Sequence, residues 1–147
     1  MPNAEQVKNK VLRMLMSHMD VRMDDDGDIL IRHESAVCWV SVDNWGEATN
    51  DGRDTVIQVR APIIWDAKRT PALYEWVATE GQKFMIGRVA CNAAKDASLT
   101  NVFFEHNLFG DNVDEPEIVH AVGLVLTTAN RLDDELVVKF GGRKSIN

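Results

Sequence analysis

The sequence is poor in the features that announce a chemistry. Its 147 residues hold two cysteines and one tyrosine. Cys38 and Cys91 fall in apolar stretches that read as strands, so buried thiols are expected rather than a disulfide or a redox pair. Basic residues are outnumbered: 16 Lys and Arg against 23 Asp and Glu leave a net charge of -7. That balance repels phosphate backbones, and the one dense basic group is Arg143-Lys144, so no nucleic-acid partner is expected. No apolar run reaches the roughly 20 residues that span a bilayer, and the opening residues are polar. The reading is a cytoplasmic protein with no membrane partner.

Catalytic and cofactor motifs are missing too. There is no Walker A loop, dinucleotide fingerprint, Gly-x-Ser-x-Gly elbow, His-Glu-x-x-His or Cys-x-x-Cys. Asp24-Asp25-Asp26-Gly27-Asp28 resembles a calcium loop. With Gly27 at its sixth position, however, Arg22 and His33 take the first and twelfth ligand positions, and the motif fails. Turn chemistry that launches a strand is the better reading. The most promising place for acid–base work is Glu105-His106, near Asp111 and Asp114. Neighbours on a strand point to opposite faces, so these two cannot form a simple dyad. No catalytic residue, metal or cofactor is expected, and the chain is read as a non-enzyme.

What is present is architecture. Asn3 to Asp20 has helical spacing, with Val7, Val11, Met14 and Leu15 on one face and Asn3 with Gln6 as a capping box. Leu12, Met16 and Met19 make a second apolar stripe, which either packs on the core or meets a partner; methionine adapts to varied partners. Strands are expected at Ile29–His33, Ala36–Val42 and Thr55–Ile63, the first two joined by a Glu34-Ser35 hairpin. Val37 and Trp39 then lie on the face opposite Cys38 and Val40, leaving apolar surface for a partner. A polar loop is expected over Trp45–Asp54. Thr70-Pro71 starts a short helix that Gly81 stops. Phe84–Cys91 and Leu99–His106 read as a fourth and a fifth strand.

Gly110-Asp111-Asn112 then turns the chain into a long helix. Asp114 caps it, and Ile118, Val122, Val125, Ala129, Leu132, Leu136 and Phe140 run down one face. Such a helix spans on the order of 40 Å, enough to cross several strands. The predicted fold is α+β, in the order α-β-β-β-α-β-β-α, with a five-stranded, mainly antiparallel sheet packed by helices in one domain over residues 1–147.

Three stretches resemble a known family. They are Lys83-Phe84-Met85-Ile86-Gly87-Arg88-Val89, then Val102-Phe103-Phe104-Glu105-His106-Asn107-Leu108-Phe109-Gly110-Asp111, and Asn130 to Leu136 continuing through Phe140-Gly141-Gly142-Arg143. Together with Asp24–Ile31 and Val59–Ile63, they are similar to the actinobacterial branch of the YbjN family. That family is similar in fold to the class I type III secretion chaperones, small acidic proteins, usually homodimers, that hold client segments extended. The resemblance implies a non-catalytic module that binds a client peptide or protein, chaperone-like or regulatory, by fold-level analogy.

Two functions are therefore expected to compete. The first is a homodimeric binding module that uses Leu12, Met16, Met19, Val37 and Trp39, with apolar client side chains in pockets and strand addition at a sheet edge. The second is a small-ligand sensor or enzyme with a pocket near His106, Asp111 and the N-terminus of the last helix, where helix dipoles favour anions.

Overall fold

The computed structural model describes residues 3–45 and 54–144. Most of the loop expected over Trp45–Asp54 thus lies outside the described residues. Helix α1 (Ala4–Met16) starts on the expected capping box: the Asn3 side chain accepts from the Gln6 N–H, and Gln6 accepts from the Asn3 N–H. It ends earlier than its apolar spacing implied, because Asp20–Met23 forms a strand, β1. Strands β2 (Ile29–His33) and β3 (Ala36–Asn44) pair through the expected hairpin. Strand β4 runs over Thr55–Lys68, past Ile63.

Helix α2 (Pro71–Thr79) is capped by Thr70, and a 3-10 turn, Glu80–Gln82, follows it. Strand β5 covers Arg88–Ala93 and β6 Leu99–Phe109, before helix α3 (Glu115–Phe140) and the two-residue strand β7 (Arg143–Lys144).

The sheet is antiparallel throughout, in the order β1-β2-β3-β4-β6-β5 with β7 on β4. It has seven strands, not five. The two additions, four residues (Asp20-Val21-Arg22-Met23) and two (Arg143-Lys144), are too short for a pattern to mark them as strands. Strand β7 is held by charge: Arg143 pairs with Asp66 at 3.2 Å, and Lys144 pairs with Asp134. The dense basic group of the sequence is thus spent on closing the fold.

The expected strand Phe84–Cys91 is also corrected, since pairing begins only at Arg88. Gly87 takes φ +82 and turns the chain out of the strand path. Phe84 leaves the sheet and packs edge-on to Phe104 at 5.1 Å.

The helices share one face of the sheet. Val7, Val11 and Leu15 of α1 and Ile118, Val122, Val125, Ala129, Leu132 and Leu136 of α3 join Ile31, Val40, Ile57, Val59, Val102 and Phe104 in a continuous core. The expected apolar stripe of the long helix is therefore the stripe that meets the sheet. Trp76 of α2 closes the end of the core against Phe140 at 6.3 Å.

The opposite face carries an aromatic ladder. Trp39 meets Trp65 at 6.4 Å, and Trp65 meets Phe103 at 5.4 Å, both edge-on. The Arg60 guanidinium lies 5.9 Å from the Phe103 ring centre. Beside it Glu105, almost fully buried, takes a charge-assisted bond from Arg88 at 2.9 Å.

Candidate functional site: a cavity beside an incomplete strand pair

The site follows from where β5 stops. Gly110 N–H donates to the Thr55 carbonyl at 2.9 Å, and Val56 stands opposite Phe109. Antiparallel pairs alternate every second residue. Leu108 and His106 therefore bond to β4, while Asn107 aims its N–H and C=O to the other side. On that side β5 begins at Arg88, opposite Glu105. Continued by two residues, the same register would put Ile86 opposite Asn107. The turn at Gly87 prevents that pairing, and among the described residues no strand takes its place.

A cavity of about 260 Å³ opens at this point on the helix side. Ile86, Leu108, Ala121 and Leu124 give it apolar walls, and His106, His120 and Glu117 stand at its polar end. Ile86 is half exposed, and the neighbouring Met85 side chain is fully exposed. Two large apolar side chains held in water beside an apolar cavity are what a partner would cover. Across β6 lies a second, shallower depression of about 170 Å³, walled by Trp45, Val56 and Phe109.

The chemistry here is limited. Burial pushes the His106 imidazole below its ordinary pKa by disfavouring the charged form. Among the described residues neither His106 nor His120 makes a hydrogen bond to a carboxylate, and no group of His, Cys, Asp and Glu has the arrangement to hold a metal ion. Glu105 points to the opposite face of the sheet, where Arg88 holds it. The start of α3 is already satisfied: Asp114 accepts from Glu117 N–H at 2.8 Å, and Glu115 and Glu117 fill the first turn with negative charge. An anion at that terminus would meet three carboxylates.

Asp111 does not line the cavity. Its carboxylate clamps the start of β4, accepting from the N–H groups of Asp54 and Thr55 at 2.8 and 2.9 Å and from the Thr55 hydroxyl. Burial pushes its pKa up, but these three donors outweigh that and hold it below the ordinary range.

The sequence-predicted contact residues divide between two sides. Leu12 and Met19 are half-buried against the core, whereas Met16, next to them on α1, is 61% exposed. Val37 and Trp39 are half-buried on the far side of the sheet, Trp39 within the aromatic ladder. The structure brings neither group to the cavity. Ile86, Leu108, Ala121 and Leu124 were not singled out from sequence, because three separate elements supply them.

The fold is that of a type III secretion chaperone. YbjN from E. coli superposes with a TM-score of 0.58 at 11% identity, over 95% of this chain and 94% of that one. The Yersinia pestis type III secretion chaperone SycH, solved in complex with a stable fragment of YscM2, superposes with a TM-score of 0.50 at 9% identity, covering 86% of this chain and 96% of that chain. The chain belongs to the TY-Chap1 family, described as T3SS (YopN, CesT) and YbjN peptide-binding chaperone 1, whose model matches residues 3–147. No curated protein matches it.

Proposed function

We infer that this protein is a non-catalytic peptide-binding module of chaperone type, a single YbjN-like domain acting in the cytoplasm as a homodimer. The observation that carries the reading is the apolar cavity between β6 and α3, with Ile86 half exposed on its wall and Met85, the preceding residue, fully exposed. Family membership supplies the class of ligand, a segment of a client polypeptide. The actinobacterial affiliation rests on the quoted stretches from Lys83 to Arg143. Among the described residues no carboxylate orients the His106 ring, which favours binding over acid–base catalysis.

Leu12, Met16 and Met19 on the helix side, and Val37 and Trp39 on the other, are proposed as further partner contacts. Because they lie on opposite sides of the sheet, one group serves the second copy and the other extends the client site. An array of overlapping peptides of about 15 residues, probed with the labelled protein, tests the reading. Binding concentrated on apolar, extended segments is expected, and uniform absence of binding would remove it. Light scattering on the eluting protein tests the dimer.

A further inference from the structure

We propose that the cavity between β6 and α3 takes one lysine side chain of the client, its ammonium held by Glu117 and its stem lying along Ile86, Leu108, Ala121 and Leu124. This rests on the peptide-binding reading above and names the side chain that the cavity selects. Glu117 is the carboxylate that the fold leaves unused. Helices α1 and α3 both open with a polar N-cap and a second acceptor three residues on. In α1 the Gln6 side chain turns back to the Asn3 N–H and closes the box. In α3 Asp114 accepts from the Glu117 N–H, but among the described residues the Glu117 carboxylate makes no return bond. The other two acids of that turn are engaged, Asp114 as the cap and Glu115 against His18 at 3.4 Å. No Lys or Arg among the described residues pairs with Glu117, and its side chain lines the cavity.

The chemistry of the occupant follows from that lining, which holds no Lys or Arg and no carboxylate besides Glu117. An apolar side chain alone would strip water from the carboxylate without replacing it. A lysine does replace it: the methylene stem lies on the apolar walls while the ammonium reaches the polar groups. The His106 ring, whose charged form burial disfavours, supplies an acceptor nitrogen for a second ammonium N–H. A client Asp or Glu would instead meet Glu117, with Asp114 and Glu115 on the same turn. At the roughly 30 Å³ that a water takes in the liquid, a cavity of about 260 Å³ holds about eight or nine non-hydrogen atoms. A lysine side chain therefore enters with room for bridging water.

The strongest-binding peptide of the array, fluorescently labelled and titrated against the full chain, is the probe. Each of its lysines is replaced in turn by norleucine, which keeps the stem and removes the ammonium. At one position this is expected to weaken binding about five-fold, the upper end for a solvent-accessible ion pair. In E117Q the ratio of lysine to norleucine affinity at that position is expected to fall from about five to about one. The substitution keeps the helix cap, because Asp114 bonds the backbone N–H there. Binders that carry no lysine, or norleucine peptides that all stay within about two-fold of the parent, overturn the lysine assignment and leave the peptide-binding reading standing. A ratio that keeps its wild-type value in E117Q gives the ammonium to another acid and also overturns it. An array with no binders removes both.

Discussion

Replacing Asp111 with alanine should cost the fold about 3 kcal/mol, and the cost should depend on pH in a defined sense. The carboxylate accepts three hydrogen bonds, two of them from Thr55, a residue with no solvent exposure. A hydrogen bond to a charged acceptor contributes about 1.5–3 kcal/mol, and an orphaned buried donor costs about 1–3 kcal/mol. The three bonds share one acceptor group and are not additive, which puts the total near the top of a single strong interaction. For a chain of this length, about 3 kcal/mol corresponds to a fall in Tm of roughly 6–12 °C.

The folded-state pKa of Asp111 is depressed. Its contribution is therefore fully present above the unfolded value, near 3.8, and is lost as pH falls through the folded value. Urea unfolding of wild type, D111A and D111N from pH 7 down to pH 3 provides the assay. The gap between wild type and D111N should be widest at neutral pH and should narrow only below the ordinary carboxylate range. A gap under about 0.5 kcal/mol at pH 7, within the usual range for a surface substitution, would refute the clamp.

Three further outcomes follow from the same geometry. In G87V, a Cβ would lie 2.6 Å from the Phe104 ring at φ +82, so the variant should lose about 2–4 kcal/mol by chemical denaturation. Burial pushes the Cys38 thiol up to about 12, and its side chain has no exposure. Ellman's reagent should therefore leave Cys38 untouched in the native protein and titrate two thiols only in denaturant. Burial also raises the pKa of Asp133, an acid that destabilises the fold when charged. D133N should thus be as stable as wild type or slightly more so at pH 7, and thermal melts should show that margin shrinking as pH falls through the raised value.

Much of the scaffold is legible in the residues because it follows periodic rules. The capping box at Asn3, the Thr70-Pro71 start and the spacing from Ile118 to Leu136 each encode a local geometry that the core then uses. Strands β1 and β7 escape that reading. Their four and two residues are mostly exposed and too few to carry a pattern, and pairing with a neighbour makes them strands. Phe84–Gly87 misleads because its apolar residues look like a strand while Gly87 carries them out of the sheet.

The cavity was hidden for a different reason. His120 falls on the polar side of α3 and His106 on a strand, and only the tertiary packing of α3 across β6 makes them neighbours. The rule that adjacent residues face opposite ways keeps Glu105 and His106 apart, Glu105 with Arg88 on the outer face and His106 at the cavity.

The central claim is that a client segment occupies the space between the end of β5, the edge of β6 and α3. Amide chemical-shift mapping of the full chain, titrated with the peptide that binds most strongly on the array, tests it most directly. The account predicts shifts that saturate together at Ile86, His106, Leu108, Ala121 and Leu124. Saturating shifts confined to the Trp39–Trp65–Phe103 face, with this group unmoved, would contradict it.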